Sequence, residues 1–376
     1  MRKEVVILGV GVTKFSRKSG RDLFDLAQEA GVKAMKDAGV GFRDIQTGFC
    51  AHVNQPTGTG MECFAKLGMT GIPVTNVEVA CASHTRSVML AAEMIAAGAY
   101  DMALVIGVEK MPGGMVPTKG DLRDMPYRLM MGIMPMPGIY AMKAQRHMHD
   151  YGSRPEHFAK AAEKAHRNGS LNPNATYREV YSLEQILASR MIADPITMFM
   201  CSANADGATA TVVCSKKRAR QYTRKPVVLA GWAGGTPMYV KGEKSGPSEG
   251  PTEYLGKKVY EMTGLGPQDV GVVQLHDAFS PGELFTMEDL GFCPHGQGHI
   301  FVWEGNTEIN GNVPVNTDGG LVSCGHPIGA TGGRMIAEIY WQLKGMAGER
   351  QVPGKPKVGL IQNQGLGGTN VLMMRT

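Results

Sequence analysis

The chain carries one pattern twice. Near the start, the apolar run VVILGVGVTKF (5–15) leads to the helix-like LFDLAQEAGVKAMKDAG (23–39) and then to VGFRDIQTGFCAH (40–52). After residue 224, KPVVLAGWAGG (225–235) leads to TEYLGKKVYEMTG (252–264) and then to LGPQDVGVVQLHDAF (265–279). Each copy reads as strand, helix, glycine stop, a polar turn carrying Asp-Ile or Asp-Val, and a second strand. The correspondence continues with VEVACASHTRSVMLAAEMIAAG (77–98) before the strand DMALVIGVEKM (101–111). Its counterpart is GGLVSCGHPIGATGGRMIAEIYWQLKG (319–345) before KVGLIQNQGLGG (357–368). Two copies of one α/β unit set reactive-looking turns against each other from distant parts of the chain. The reading divides the chain into an N-terminal half, 1–223, and a C-terminal half, 224–376. A Met/Pro/Gly-rich excursion over about 112–195 interrupts the first half, and its length suits a lid or substrate cover.

Composition narrows the function classes. Hydrophobic residues make up 43% and charged residues 19%, as in a folded globular enzyme and unlike a disordered chain. A net charge of +5 is too mild for a nucleic-acid reading, although RKSGR (17–21) and SKKRAR (215–220) are locally basic. The seven cysteines, 50, 63, 81, 201, 214, 293 and 324, include no C-x-x-C pair and suit reduced, cytoplasmic thiols. The N-terminus enters a strand directly and is not read as a signal peptide. No apolar run is long enough for a membrane span, and the terminal MMRT is not a peroxisomal address. Twenty-six methionines suit either core filling or a compliant apolar pocket.

Three residues stand out as chemistry. Cys81 opens an apolar helix, where the dipole and free N–H groups favour thiolate and can hold an oxyanion. His326 sits in GHPIGATGG at the matching turn of the second half, with Pro327 at the expected first helical position. His276 follows the apolar VVQL at the end of a strand, where α/β sheets place ligand groups. A cysteine nucleophile with imidazole bases accounts for the set. GHPIGATGG lacks the Gly-Lys-Ser/Thr of a phosphate loop, and GVGVTK lacks the third glycine of a dinucleotide turn. The C-x-H pairs Cys50/His52 and Cys324/His326 lack the further ligands of a zinc site, so no metal is expected.

At these residues the sequence resembles the thiolases, and above all the sterol-carrier-protein type with its archaeal and bacterial relatives. The resemblance is carried by VEVACASHTRSVMLAAEMIAAGAYDMALVIGVEKM, MCSANADGATATVV (200–213), HDAFSPGELFTMEDLGFCPHGQG (276–298), PVNTDGGLVSCGHPIGATGG (314–333) and NQGLGGTNV (363–371). It spans essentially the whole chain, and no fused sterol-carrier domain is expected. The resemblance implies an α/β thiolase fold: duplicated βαβαβαββ halves in a five-layered αβαβα arrangement. It implies an acyl-CoA C-acyltransferase in which Cys81 takes the acyl group, His326 activates it, and His276 completes an oxyanion hole with His326. Backbone N–H groups of Cys81 and Gly367 would form the second hole. His84 and Asn316 are carried over as substrate-binding candidates. Coenzyme A is implied as a substrate, with no tightly bound cofactor. A homodimer or dimer of dimers, and a separate OB-fold zinc-ribbon protein, are the implied partners.

Thiolases also use a second acid/base, commonly a cysteine, and here its usual places are Gly365 and Ala278. Cys324 is the cysteine left inside a matching motif and is the candidate for that role. His84 stands where the family carries a small residue. These departures keep an alternative open: a C-acyltransferase or aldolase-like lyase acting on a non-CoA or bulky carbon acid. Retention of Cys81, His276 and His326 argues against a non-catalytic subunit.

Overall fold

The structure is a computed structural model that describes residues 3–111, 136–236, 251–366 and 368–376. In chain order the elements are β1 (Val5–Val12), α1 (Leu23–Ala38), β2 (Thr47–Ala51), α2 (Thr59–Ala65), β3 (Val74–Val77), α3 (Ser83–Ala97) and β4 (Met102–Glu109). The excursion contributes α4 (Met136–Tyr151), α5 (Pro155–Ser170), α6 (Leu183–Ala188) and the short hairpin β5 (Met191–Ala193) and β6 (Ile196–Thr197). Then come β7 (Gly207–Ser215), α7 (Lys216–Ala219), β8 (Val227–Gly235), α8 (Pro251–Thr263), β9 (Val272–Gln274), α9 (Pro281–Asp289) and α10 (Gly298–Trp303). The chain closes with α11 (Thr331–Lys344), β10 (Val358–Gly365) and β11 (Gly368–Arg375).

The strands run in the order β3-β2-β4-β7-β1-β8-β11-β10-β9. The pairing repeats about the β1–β8 junction. β1 lies antiparallel to β7 as β8 does to β11, and β7 to β4 as β11 to β10. β4 then pairs in parallel with β2 as β10 does with β9. Even β3 has a trace of a counterpart, because Val315 forms a parallel bridge to Val273 beside β9.

The local signals repeat too. The glycines that end α1, α3, α8 and α11, namely Gly39, Gly98, Gly264 and Gly345, all have positive φ, which closes a helix without a Cβ clash. Asp44 and Asp269 each accept a hydrogen bond from the backbone N–H of a glycine three residues earlier, at 3.0 and 2.8 Å. These caps fold the two polar turns alike before β2 and β9.

Alternation along the strands divides the core into layers. Val6 and Leu8 of β1, with Leu104 and Ile106 of β4, pack under α1 on one outer face. Val5, Ile7, Ala103 and Val105 point the other way into a central core built on α3 and α11. Strands of the second half behave the same way. Leu372 and Met374 face the central core, while Val371 and Met373 pack with Leu255 and Val259 of α8. The layers are therefore α1, sheet, α3 with α11, sheet, α8: the five-layered thiolase arrangement. α4, α5 and α6 form a separate apolar cluster that includes Ala278, Phe279 and Leu321 beside the predicted site. The stretch 112–135 of the excursion lies outside the described residues.

The central layer carries the greatest demand on packing, because α3 and α11 are covered on both sides. Ile339 of α11 is wholly buried there. Replacing it with alanine removes buried carbon from a site that cannot collapse, so Ile339→Ala is expected to cost about 2–5 kcal/mol of stability. A urea unfolding curve with an unshifted midpoint would contradict this layering.

Candidate active site

Cys81 is presented by a strained turn. Ala80 has φ +46°, a left-handed conformation costly for a residue with a Cβ. Three local bonds hold it: Val79 N–H donates to Ser83 Oγ (2.8 Å), Ser83 Oγ donates to Ala80 O, and Ala80 N–H donates to Glu78 Oε1 (2.7 Å). The chain turns from here into α3, and Cys81 is left half-buried at its N-terminal end.

His326 reaches it from the other half. The chain first forms a π-helical turn at Gly320–Cys324, then a 3-10 turn at Ile328–Ala330. α11 starts only at Thr331, so Pro327 precedes the 3-10 turn instead of opening the long helix as expected from sequence. His326 Nε2 lies 3.2 Å from Cys81 Sγ, although 245 positions separate them. The tautomer follows from the partner behind the ring. Thr331 Oγ1 gives its one hydrogen to Pro327 O (2.9 Å), so it accepts from His326 Nδ1 (2.7 Å). Nε2 is then bare and faces the thiol.

His276 stands just beyond β9, with its ring centroid 5.3 Å from that of His326. Ligand atoms of Cys81, His276 and His326 all lie within 4.8 Å of one another, a spacing that a metal ion could also bridge. Asn316 sets the height of His276. It is fully buried, accepts from Leu275 N–H (2.9 Å) and donates to Leu275 O (3.2 Å). The amide is spent on backbone, which gives Asn316 a positioning role in place of the substrate contact expected for it. Asp277 accepts from Leu321 N–H (2.8 Å) and ties the His-Asp turn to the glycine-rich turn of the other segment.

Burial dominates the electrostatics of the site. It pushes the Cys81 thiol up to about 12; the residue's own N–H on the sulfur lowers it, and the charges of Glu109 and Glu78 add to the rise. Burial, with Arg334 nearby, takes His326 down to about 3. Burial, then His326 and Arg334, holds His276 well below the usual histidine range. The thiolate expected from the helix dipole is therefore not the resting state. Desolvation outweighs the dipole, and a neutral thiol faces a neutral imidazole.

The other expected residues fall outside this cluster. His84 is wholly buried, with Thr211 Oγ1 3.1 Å from Nε2 and Thr209 Oγ1 3.3 Å from Nδ1. Its ring occupies the space left by two glycines: a Cβ at Gly107 or Gly333 would meet it at 2.4 or 2.6 Å. It is a core residue with no face toward a substrate. Cys324 is fully buried, with its sulfur against Asn172 Nδ2 (3.4 Å), and burial raises its thiol far above the usual range. That arrangement does not suit an acid/base. Gly365 has no room for a side chain, since a Cβ there would sit 2.3 Å from Val79 O and 3.3 Å from Cys81 N. Gly367, the second expected oxyanion donor, lies outside the described residues.

Sequence reasoning missed Thr331, Glu109 and Asn363. Glu109 ends β4 and accepts from Val53, Asn54 and Gly329 N–H, bracing the loop that carries His326. Asn363 donates from Nδ2 to His276 Nδ1 at 3.2 Å. For Glu109 the available signal was a carboxylate ending an otherwise apolar buried strand.

Residues 5–182 match the family model described as "Thiolase, N-terminal domain", and residues 247–374 the one described as "Thiolase C-terminal domain-like". The chain belongs to the thiolase family. Acetyl-CoA acetyltransferase of Methanothermobacter thermautotrophicus is 36% identical over 377 residues, covering 98% of each chain. Sterol carrier protein 2 of Rattus norvegicus is 36% identical over 390 residues, covering 98% of this chain and 71% of its own. Among solved structures, the aldolase described as Ltp2-ChsH2(DUF35) superposes with a TM-score of 0.88 at 28% identity, covering 99% and 98% of the two chains. As a thiolase the protein is an enzyme of the acyltransferase class. No helix among the described residues is long and apolar enough to cross a membrane.

The neutral pair has a measurable signature. A thiol with a pKa of about 12 gains thiolate as pH rises, so alkylation of Cys81 by iodoacetamide in the free enzyme should increase about tenfold per pH unit from 7 to 9. A plateau already reached at pH 7, followed by mass spectrometry of the Cys81 peptide, would show a resting thiolate instead.

Proposed function

We propose that the protein cleaves a 3-oxoacyl-CoA with coenzyme A, or runs the reverse Claisen condensation, through an acyl-enzyme on Cys81. The observation that carries the reading is the contact of Cys81 Sγ with the bare Nε2 of His326 at 3.2 Å, with His276 alongside. When substrate enters, His326 takes the thiol proton and the sulfur attacks the 3-oxo carbon. The bond between carbons 2 and 3 breaks, leaving the acyl group on Cys81 and an enolate on the departing thioester. His276 and the newly protonated His326 both present hydrogens to the thioester oxygen, where the enolate charge collects. His326 hands the proton it took from the thiol to carbon 2, which releases the shortened thioester and leaves the imidazole neutral again. The thiol of coenzyme A then gives its proton to His326 and takes the acyl group from Cys81, whose sulfur receives that proton back as it leaves.

A neutral resting pair suits this sequence of steps. The thiol is not exposed as a standing thiolate, and charge develops only between groups placed to receive it. A homodimer belongs to the same reading, and the exposed Thr75 and Asn76 on edge strand β3 leave an edge available for pairing. The likeness to the two-component Ltp2-ChsH2(DUF35) aldolase supports a separate partner protein.

A second reading, an aldolase-like lyase, has one observation in its favour. Neither usual place for a second cysteine offers a thiol, since 278 is alanine and Gly365 is closed by backbone. Free coenzyme A separates the two, because only the thiolase reaction consumes it during cleavage.

Intact-protein mass spectrometry after exposure to 3-oxoacyl-CoA should show one acyl increment on the wild type and none on Cys81→Ser. An increment that persists in the variant removes Cys81 as the nucleophile. His326→Gln should slow acylation by about 10²–10⁴-fold, the usual range for losing a general base; stopped-flow release of the departing thioester measures it.

A further inference from the structure

We infer that Asn363 is a positioning residue that fixes the tautomer of His276, making its site-facing nitrogen a hydrogen-bond donor and denying it to a metal ion. The inference rests on the thiolase reading for its catalytic consequence but not for its chemistry. Asn363 sits on β10, and its Nδ2 meets His276 Nδ1 at 3.2 Å. An amide nitrogen can only donate, so Nδ1 must accept, and the imidazole hydrogen is placed on Nε2. With Nδ1 taken by the amide, Nε2 is the nitrogen left to His276 for the cluster it forms with Cys81 and His326.

The amide is held in turn. Asn370 Nδ2 donates to Ala82 O (3.1 Å) and to Thr85 Oγ1 (2.9 Å); with Ala82 O so satisfied, Thr85 gives its one hydrogen to Asn363 Oδ1 (2.9 Å), which keeps the amide nitrogen turned toward His276. All of these residues except Ala82 are themselves buried polar groups, and Ala82 directly follows Cys81. One network thus connects the nucleophile turn, the first turn of α3, strands β10 and β11, and His276. It sets the donor and the nucleophile from the same scaffold.

The consequence is a choice between two chemistries. Cys81, His276 and His326 have the spacing of a three-ligand zinc site. A ligating histidine must bring a bare nitrogen to the metal and usually donates its other N–H to a carbonyl or carboxylate. His326 satisfies that pattern, with Nδ1 donating to Thr331. His276 does not, because Asn363 is a donor. The same three side chains therefore form an oxyanion site instead of a metal centre through one amide.

Asn363→Asp tests this with almost no change of shape. A carboxylate can only accept, so it should move the hydrogen to Nδ1 and leave Nε2 bare. Zinc binding, read by isothermal titration without substrate, is expected to tighten at least about tenfold over wild type. Turnover with a 3-oxoacyl-CoA should fall about 10²–10³-fold in kcat, the usual loss for one oxyanion donor, with KM nearly unchanged. Asn363→Ala should lose turnover without gaining zinc affinity. Unchanged zinc affinity in Asn363→Asp overturns the inference whatever the activity, since it would mean Nδ1 already carried the hydrogen or the amide merely fills space. Failure of wild-type Cys81 to acylate would instead sink the thiolase reading and leave the zinc comparison intact.

Discussion

Everything at this site depends on two helices meeting end against end inside the molecule. α3 and α11 form the middle layer, and their first turns touch so closely that a Cβ at Gly332 would lie 2.8 Å from both Thr85 N and Thr85 Cγ2. With no side chain between them, the turns that precede the two helices converge. Cys81 enters from one and His326 from the other, and the 3.2 Å contact between them follows from that crossing. The sheets on either side hold the helices in place by covering both of their faces, so the distance between thiol and imidazole is maintained by the best-packed layer of the protein.

Burial then decides the chemistry of the resting state. A helix N-terminus favours an anion, and the sequence alone suggests a reactive thiolate at Cys81. In the folded chain both histidines are buried and the thiol lies partly buried against them, and the cost of charging any of them alone exceeds what the helix end supplies. Charge is therefore stable only when a proton moves between paired groups or when a substrate oxygen is present to share it. Buried charges elsewhere follow the same rule by pairing: Arg334 with Asp318, Arg350 with Glu338, and Lys164 with Glu283.

Much of the architecture is legible in the amino-acid order. The helix-ending glycines, the two Asp-bearing turns and the apolar runs of β1 and β4 are local properties, and the fold bears them out. The three residues singled out for chemistry are legible as well, because a cysteine at a helix start and histidines at strand ends are local signals too. The misreadings share a cause. His84, Asn316 and Cys324 stand inside the right motifs, but what each side chain touches is set by other segments: Gly107 and Gly333 receive the ring of His84, Leu275 consumes the amide of Asn316, and Asn172 meets the sulfur of Cys324.

The amino-acid order by itself determined a duplicated α/β chain and the choice of Cys81, His276 and His326 as the candidates for chemistry, while the layers were implied by the family resemblance. Local conformational preference and hydrophobic periodicity act over a few residues, and they survive any rearrangement of distant parts. Only the tertiary structure decided which nitrogen of His326 faces the thiol, that the thiol rests protonated, and that Asn363 stands behind His276. Those properties depend on burial and on hydrogen-bond partners, some of them close in sequence and others hundreds of positions apart. The distant partners come within reach only once the two halves of the sheet have closed around the central helices.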